Sequence, residues 1–158
     1  MRYMSSGTLL KWRTFKQQLL SSPAYNADTV NAFIALRQQI LREMEKQKVN
    51  LLLGSDAPQV GNVPGFSIQH EMQALSEAGL SNYTILRSGT ANPARFYGKE
   101  GVYGTIVPLA TADLLLLDAN PLVDIRNMQH IAGVMTQGRW LSKTWIAQRL
   151  AIIETKYR

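Results

Sequence analysis

Val49-Asn-Leu-Leu-Leu53, followed by Gly54-Ser-Asp56, is the stretch on which the fold turns. The apolar run is too short for a helix and does not alternate, as expected for a strand covered on both faces of a parallel sheet. Upstream, Val30, Phe33, Ile34, Arg37, Leu41 and Met44 recur at three- and four-residue steps. This spacing predicts an amphipathic, docked helix that starts at a cap formed by Asn26 or Asp28 and ends near Lys48. Lys46 and Lys48 in its last turn suit the negative end of the helix dipole. A helix feeding a buried strand is an α/β unit. Further upstream, Trp12, Phe15 and Leu19 also fall at helical spacing, until Ser21-Ser22-Pro23 interrupts the run.

Downstream, Gly54, Pro58, Gly61, Pro64 and Gly65 punctuate a loop, after which a helix is expected from Phe66 to Ala78, stopping at Gly79. Ser81 restarts helical structure, and Asn92-Pro93 marks a joint before Gly98. Beyond Gly98 the pattern changes: Gly101 to Val107, Asp113 to Leu117 and Ile131 to Gln137 are β-rich runs of strand length. A small sheet unit is therefore expected over residues 99–141. Ser142 then caps a final helix with Trp145, Ile146, Leu150 and Ile153 on one face. The chain shows neither an internal repeat nor a low-complexity segment.

A composition of 46% apolar and 18% charged residues is that of a globular chain rather than a disordered one. No apolar run reaches the roughly 18 residues of a membrane span, so the expectation is a soluble protein with no membrane span; its compartment, cytoplasmic or periplasmic/secreted, stays open. The opening Met1-Arg-Tyr-Met-Ser-Ser-Gly leads into Lys11-Trp-Arg without the apolar core of a signal peptide. Zero cysteines exclude disulfides, thiolate metal sites and a cysteine nucleophile. Residues 1–50 hold eight Lys/Arg against three acids, residues 51–120 three against six, and residues 121–158 six against two. The net charge of +6 is thus spread over both ends, without a Lys/Arg run or interleaved aromatics, and no nucleic-acid partner is expected.

Few residues qualify for chemistry. Asp56 stands just beyond the carboxyl end of the expected strand, the edge where active sites of parallel α/β folds lie. It could equally hold a local turn with Ser55 and Pro58, and position alone leaves both roles open. His70 is followed by Glu71, but no second histidine comes four residues later, so the zinc-protease pattern is absent. His130 precedes a strand with no ligand partner nearby, and two histidines are too few for a self-contained histidine-rich metal centre. Asp113, opening a strand, is expected to hold turn amides. Gly54, Gly61 and Gly65 match neither phosphate-loop pattern, so no nucleotide site is indicated.

Five segments taken together add a family reading. Gly54-Ser-Asp-Ala57, Glu71-Met-Gln-Ala-Leu-Ser-Glu-Ala-Gly-Leu80, Gly89-Thr-Ala-Asn-Pro-Ala94, Ala112-Asp-Leu-Leu-Leu-Leu-Asp-Ala-Asn-Pro-Leu122 and Val134-Met-Thr-Gln-Gly138 follow one another over about 90 of the 158 residues. In order and spacing they resemble the C-terminal end of metal-dependent amidohydrolases, nearest the imidazolonepropionase-like and prolidase-like branch. The Tyr3 to Trp12 stretch extends the resemblance upstream. It implies an α/β fold: a C-terminal fragment of a (β/α)8 TIM-type barrel over residues 1–98, part of a small β-sandwich over 99–141 and a C-terminal helix over 142–158. It also implies that Asp56, after the last barrel strand, is both catalytic and a metal ligand, binding a divalent ion, zinc by expectation, and handling the proton of the hydrolytic water.

The departures bear on activity. The family's His-x-His pair, its lysine or glutamate and its two later histidines have no counterpart here, and a barrel of roughly 250 residues cannot close from this chain alone. Pro108-Leu109-Ala-Thr111 stands where relatives usually have glycine and a basic residue, which touches one turn and not the chemistry. The leading expectation is the C-terminal portion of an amidohydrolase cleaving C–N bonds in a small amide or dipeptide-like substrate, inactive alone and without tight metal binding. The alternative is a non-catalytic interaction module or decayed remnant that self-associates or pairs with an N-terminal half.

Overall fold

The computed structural model describes residues 3–157; Met1 and Arg2, with which the leader reading begins, and Arg158 lie outside the described residues. Six helices and one three-stranded sheet make up the described chain, a mixed helix and sheet architecture. Helix α1 (Ser6–Leu20) begins where the Ser5 side chain accepts from the Thr8 amide, and α2 (Ala27–Lys46) where Asn26 Oδ1 accepts from the Thr29 amide. These side-chain oxygens satisfy amides that a helix start leaves without partners.

Helix α2 docks only through its last turns. Leu41 packs against the core, and Arg42 donates 2.9 Å to the Ala78 carbonyl. Glu45 Oε1 accepts from the amide and hydroxyl of Ser81, at 3.0 and 2.7 Å. Val30, Phe33 and Ile34, expected on a covered stripe, are exposed, as are Leu36 and Ile40 along its edge. The apolar spacing made the helix legible, but nothing in the described chain covers its first half.

The core sits where α3 (Ser67–Glu77), α4 (Asn82–Ser88) and a 3-10 turn (Ile125–Gln129) meet. Met72, Leu75, Ala78, Leu80, Ile85 and Ile125 are buried together, with Ile85 fully enclosed. Between α3 and α4, Gly79 turns the chain in the left-handed region at φ 98°, and Ser81 caps α4 by accepting from the Thr84 amide. Helix α5 (Ala91–Phe96) contains Asn92-Pro93 in its first turn, so the expected joint is instead a helix start, where proline's missing N–H has no intrahelical partner to lose.

The Val49–Leu53 stretch differs most from expectation. It turns at Asn50, where the Leu51 amide donates 2.9 Å to the Val49 carbonyl. Beyond that turn it is extended and hydrogen-bonded to helices rather than strands: the Leu53 amide donates 2.9 Å to the Ser88 carbonyl, and buried Asn92 donates 2.9 Å through Nδ2 to the Leu51 carbonyl. Leu51 and Leu53 pack on the core, whereas Leu52 is 44% exposed. One face is therefore covered, not two, and no strand among the described residues pairs with it. Gly89 permits this close seat, since a Cβ there would stand 3.0 Å from Leu53 Cδ2.

The sheet is antiparallel, in the order β1 (Leu114–Leu117), β2 (Ile131–Thr136), β3 (Arg139–Ser142). Leu115 faces Val134, and Val134 faces Leu141. Gln137 and Gly138, at φ 48° and 79°, form the two-residue turn that a tight hairpin requires. Gly101–Val107, read as β-rich, is instead a series of turns. Left-handed Gly101 and Gly104 bend it, and Ile106 is 87% exposed with no neighbouring strand to cover it. Helix α6 (Lys143–Tyr157) starts at the expected Ser142 cap, and the guanidiniums of Arg139 and Arg149 lie 5.7 and 5.1 Å from the centre of the Trp145 ring system. No helix among the described residues is long and apolar enough to cross a membrane.

Stability measurements read the bonds that hold α2 and the extended segment. Replacing Asn92 by Ala leaves the Leu51 carbonyl without its partner, and urea unfolding should register a loss of about 1–3 kcal/mol. Partial burial pushes the Glu45 pKa up, but hydrogen bonds from Thr84 and Ser81 outweigh it and hold the carboxyl below the ordinary glutamate range. A depressed carboxyl stabilises the fold above its unfolded pKa, and that contribution is lost as pH falls through the folded value. Thermal melts taken from about pH 6 to about pH 3 should therefore fall less steeply for Glu45→Gln than for the native chain.

Candidate functional site

Asp56 lies three residues past Leu53, where the extended segment leaves the core. Its backbone is left-handed at φ 53°, a conformation in which aspartate is among the better tolerated residues. The turn throws the side chain to the surface, where Asp56 is exposed and Oδ2 accepts a hydrogen bond from Gln59 Nε2. No turn amide donates to this carboxylate among the described residues, so it does not hold the bend as a backbone cap. That task falls to Asn62, whose side-chain amide donates 2.8 Å to the Ser55 carbonyl, while its own amide donates to Gln59.

The same loop borders an apolar cavity of about 600 Å³ lined by Leu9, Trp12, Phe15 and Leu19 of α1 and by Val60 and Gly61. Arg13 and Lys16 stand at this cavity, which supplies apolar walls and two cations beside the loop that follows Asp56.

The other candidates do not converge on this place. His70 is exposed on α3, and exposed His130 ends the 3-10 turn, its carbonyl accepting from the Asp118 amide at 2.8 Å. Asp113 has the turn-holding role expected of it, with Oδ1 accepting 2.7 Å from the Gln137 amide at the β2–β3 turn. Asp124 caps the 3-10 turn and pairs with Arg126, whose hydrogen bonds hold the Asp124 carboxyl below the usual aspartate range. No group of three or more His, Cys, Asp or Glu side chains among the described residues could hold a metal ion. A lone carboxylate has little metal affinity, so these residues do not by themselves fit a catalytic metal.

Sequence reasoning missed Gln59, Asn62 and Asn92, which respectively bond Asp56, hold its loop and anchor the strand-like segment. Asn62 had a weak local signal, a side-chain amide within a Gly/Pro-punctuated loop. Asn92 stood out only as part of the Asn92-Pro93 joint and of the Gly89–Ala94 segment; its anchoring role had no local signal, because its acceptor is 41 residues away in sequence.

Comparison with known proteins gives these observations a family. Among solved structures, the chain is similar to an amidohydrolase at 28% identity, with a TM-score of 0.56, over 66% of this chain and 25% of that one. It is similar to a protein designated a prolidase from Bifidobacterium longum at 26% identity and a TM-score of 0.58, over 73% and 30% of the two chains. A molinate hydrolase matches at 25% identity and a TM-score of 0.55, over 87% of this chain and 31% of its own. The chain thus spans between a quarter and a third of the length of these relatives. No curated protein matches it. The family model described as the amidohydrolase family matches residues 6–141, most of the chain, and the protein belongs to that family.

Proposed function

We propose that this chain is the C-terminal portion of a metal-dependent amidohydrolase that hydrolyses C–N bonds in a small amide or dipeptide-like substrate. The observation that carries the reading is the position of Asp56 within a family match over residues 6–141: an exposed carboxylate in a left-handed turn at the exit of an extended, core-seated segment. The relatives' names support the reaction class, since they include a designated prolidase and a molinate hydrolase. In this reading the extended segment is the last strand of a (β/α)8 barrel, residues 99–141 are part of a small β-sandwich and residues 142–158 a terminal helix.

Within that assignment, Asp56 contributes one carboxylate to a divalent-metal site, zinc by expectation, whose remaining ligands come from other polypeptide. What Asp56 can do by itself is accept a proton from a water held against it and return it to a leaving nitrogen. Gln59 is placed to orient the carboxylate through Oδ2, leaving Oδ1 for the reacting water. The exposed apolar faces of α1 and α2 and the uncovered side of Leu52 support pairing with the missing barrel units or, alternatively, self-association as a non-catalytic module.

The purified 158-residue chain should show no turnover of dipeptide or cyclic-amide substrates, and zinc titration should reveal no site tighter than a surface carboxylate provides. Asp56→Ala should leave both results unchanged. Measurable hydrolysis abolished by Asp56→Ala would overturn the incompleteness of the site. If a polypeptide supplying the His-x-His segment restores turnover, Asp56→Ala should lower the restored rate by a factor on the order of a hundred or more.

A further inference from the structure

Lys48, Arg87 and Arg95 are scattered in sequence but meet in space. With Asn50, Asn92 and Glu45 they line an open cavity of about 440 Å³ between the end of α2, the start of the extended segment, and α4 and α5. The cavity does not include Asp56, which lies six residues beyond Asn50, up to about 20 Å away along extended chain. Three cations face one carboxylate, and Glu45 is already engaged by Ser81 and Thr84. None of the three cations forms an ion pair among the described residues; Arg87 only lies over the Tyr83 ring, at 5.7 Å.

Like charges gathered on a concave wall repel one another and focus the local potential, and a bound dianion relieves that repulsion. Two guanidiniums offer forked donors that match phosphate oxygens, and Lys48 adds a point charge. Asn50 contributes a neutral amide whose present bond, to the Asn92 carbonyl, is long at 3.4 Å. We propose that this cavity is a phosphate-binding site, taking inorganic phosphate or the phosphate group of a small monoester. Arg87 and Arg95 also stand in the last turns of α4 and α5, where they complement the carbonyl ends of those helices. That role alone would leave the cavity indifferent to added phosphate.

The test is a titration of the full chain with sodium phosphate at about pH 7.5, where the dianion predominates. Ionic strength is held constant with chloride, and binding is followed by backbone amide shifts. Saturable shifts are expected at Asn50, Thr84, Arg87 and Arg95. Arg87→Gln and Arg95→Gln should each weaken binding about tenfold or more, and Lys48→Gln, at an exposed helix end, should weaken it as well. Arg139→Gln, on β3, should not. Circular dichroism melts establish that each variant is folded, and Lys48→Gln decides the matter if either arginine variant is not. Glycerol phosphate binding more tightly than inorganic phosphate assigns the site to a phosphorylated molecule, and the reverse order assigns it to the free ion. A linear response to phosphate, affinity unchanged in all three variants, or tighter saturation by succinate would overturn the proposal.

Discussion

An extended backbone without a sheet neighbour must find other partners for its amides and carbonyls, and this constraint organises the chain around residues 49–56. A buried carbonyl or amide left unpaired costs about as much as a lost hydrogen bond. Here the Ser88 carbonyl and the Asn92 side chain take the place of a neighbouring strand at Leu53 and Leu51. Both come from the α4–α5 region, which is fixed by the burial of Ile85, Ser88 and Ala94. The seat of the extended segment, and so the point at which Gly54-Ser-Asp56 leaves it, is inherited from that small core. Asn62 then holds the loop through Ser55, one residue before the carboxylate.

Much of the helical framework was legible because its limits are written in local chemistry. Asn26, Ser81 and Ser142 each present a side-chain oxygen to an amide of the following helix, and left-handed Gly79 separates α3 from α4. Errors arose where the decisive contact is non-local. The run 101–107 has strand-forming residues but two left-handed glycines and no partner to pair with. The β3 strand went unread because Gln137-Gly138 lacks the asparagine or aspartate that usually announces a two-residue hairpin turn. The apolar stripe of α2 identified the helix, but periodicity cannot say whether a covering surface belongs to the same chain.

The candidate site divides along the same line. Asp56 could be singled out from its place after an apolar run, a local property, and the family resemblance gave that place a meaning. Gln59 lies three residues away, yet nothing in its identity distinguishes a partner of Asp56 from an ordinary loop glutamine. Lys48, Arg87 and Arg95 were invisible as a cluster, because charge counted along the sequence spreads over the chain while the turn after α2 and the helices α4 and α5 bring these three to one cavity.

The two ends of the extended segment therefore differ in character: exposed carboxylate at Asp56, three cations near Asn50. Asn92 belongs to the second environment and also holds the segment through Leu51. A ligand in the cavity can influence Asp56 only if it binds more tightly to one placement of that segment than to another. Asn92 gives such a preference a physical route, since its backbone carbonyl meets Asn50 while its side chain holds Leu51. The route is short and made of two hydrogen bonds, so any coupling is bounded by their modest net strength, about 1 kcal/mol each. Such a coupling would tune a carboxylate's placement and leave its chemistry unchanged, because the turn that exposes Asp56 is held separately by Asn62.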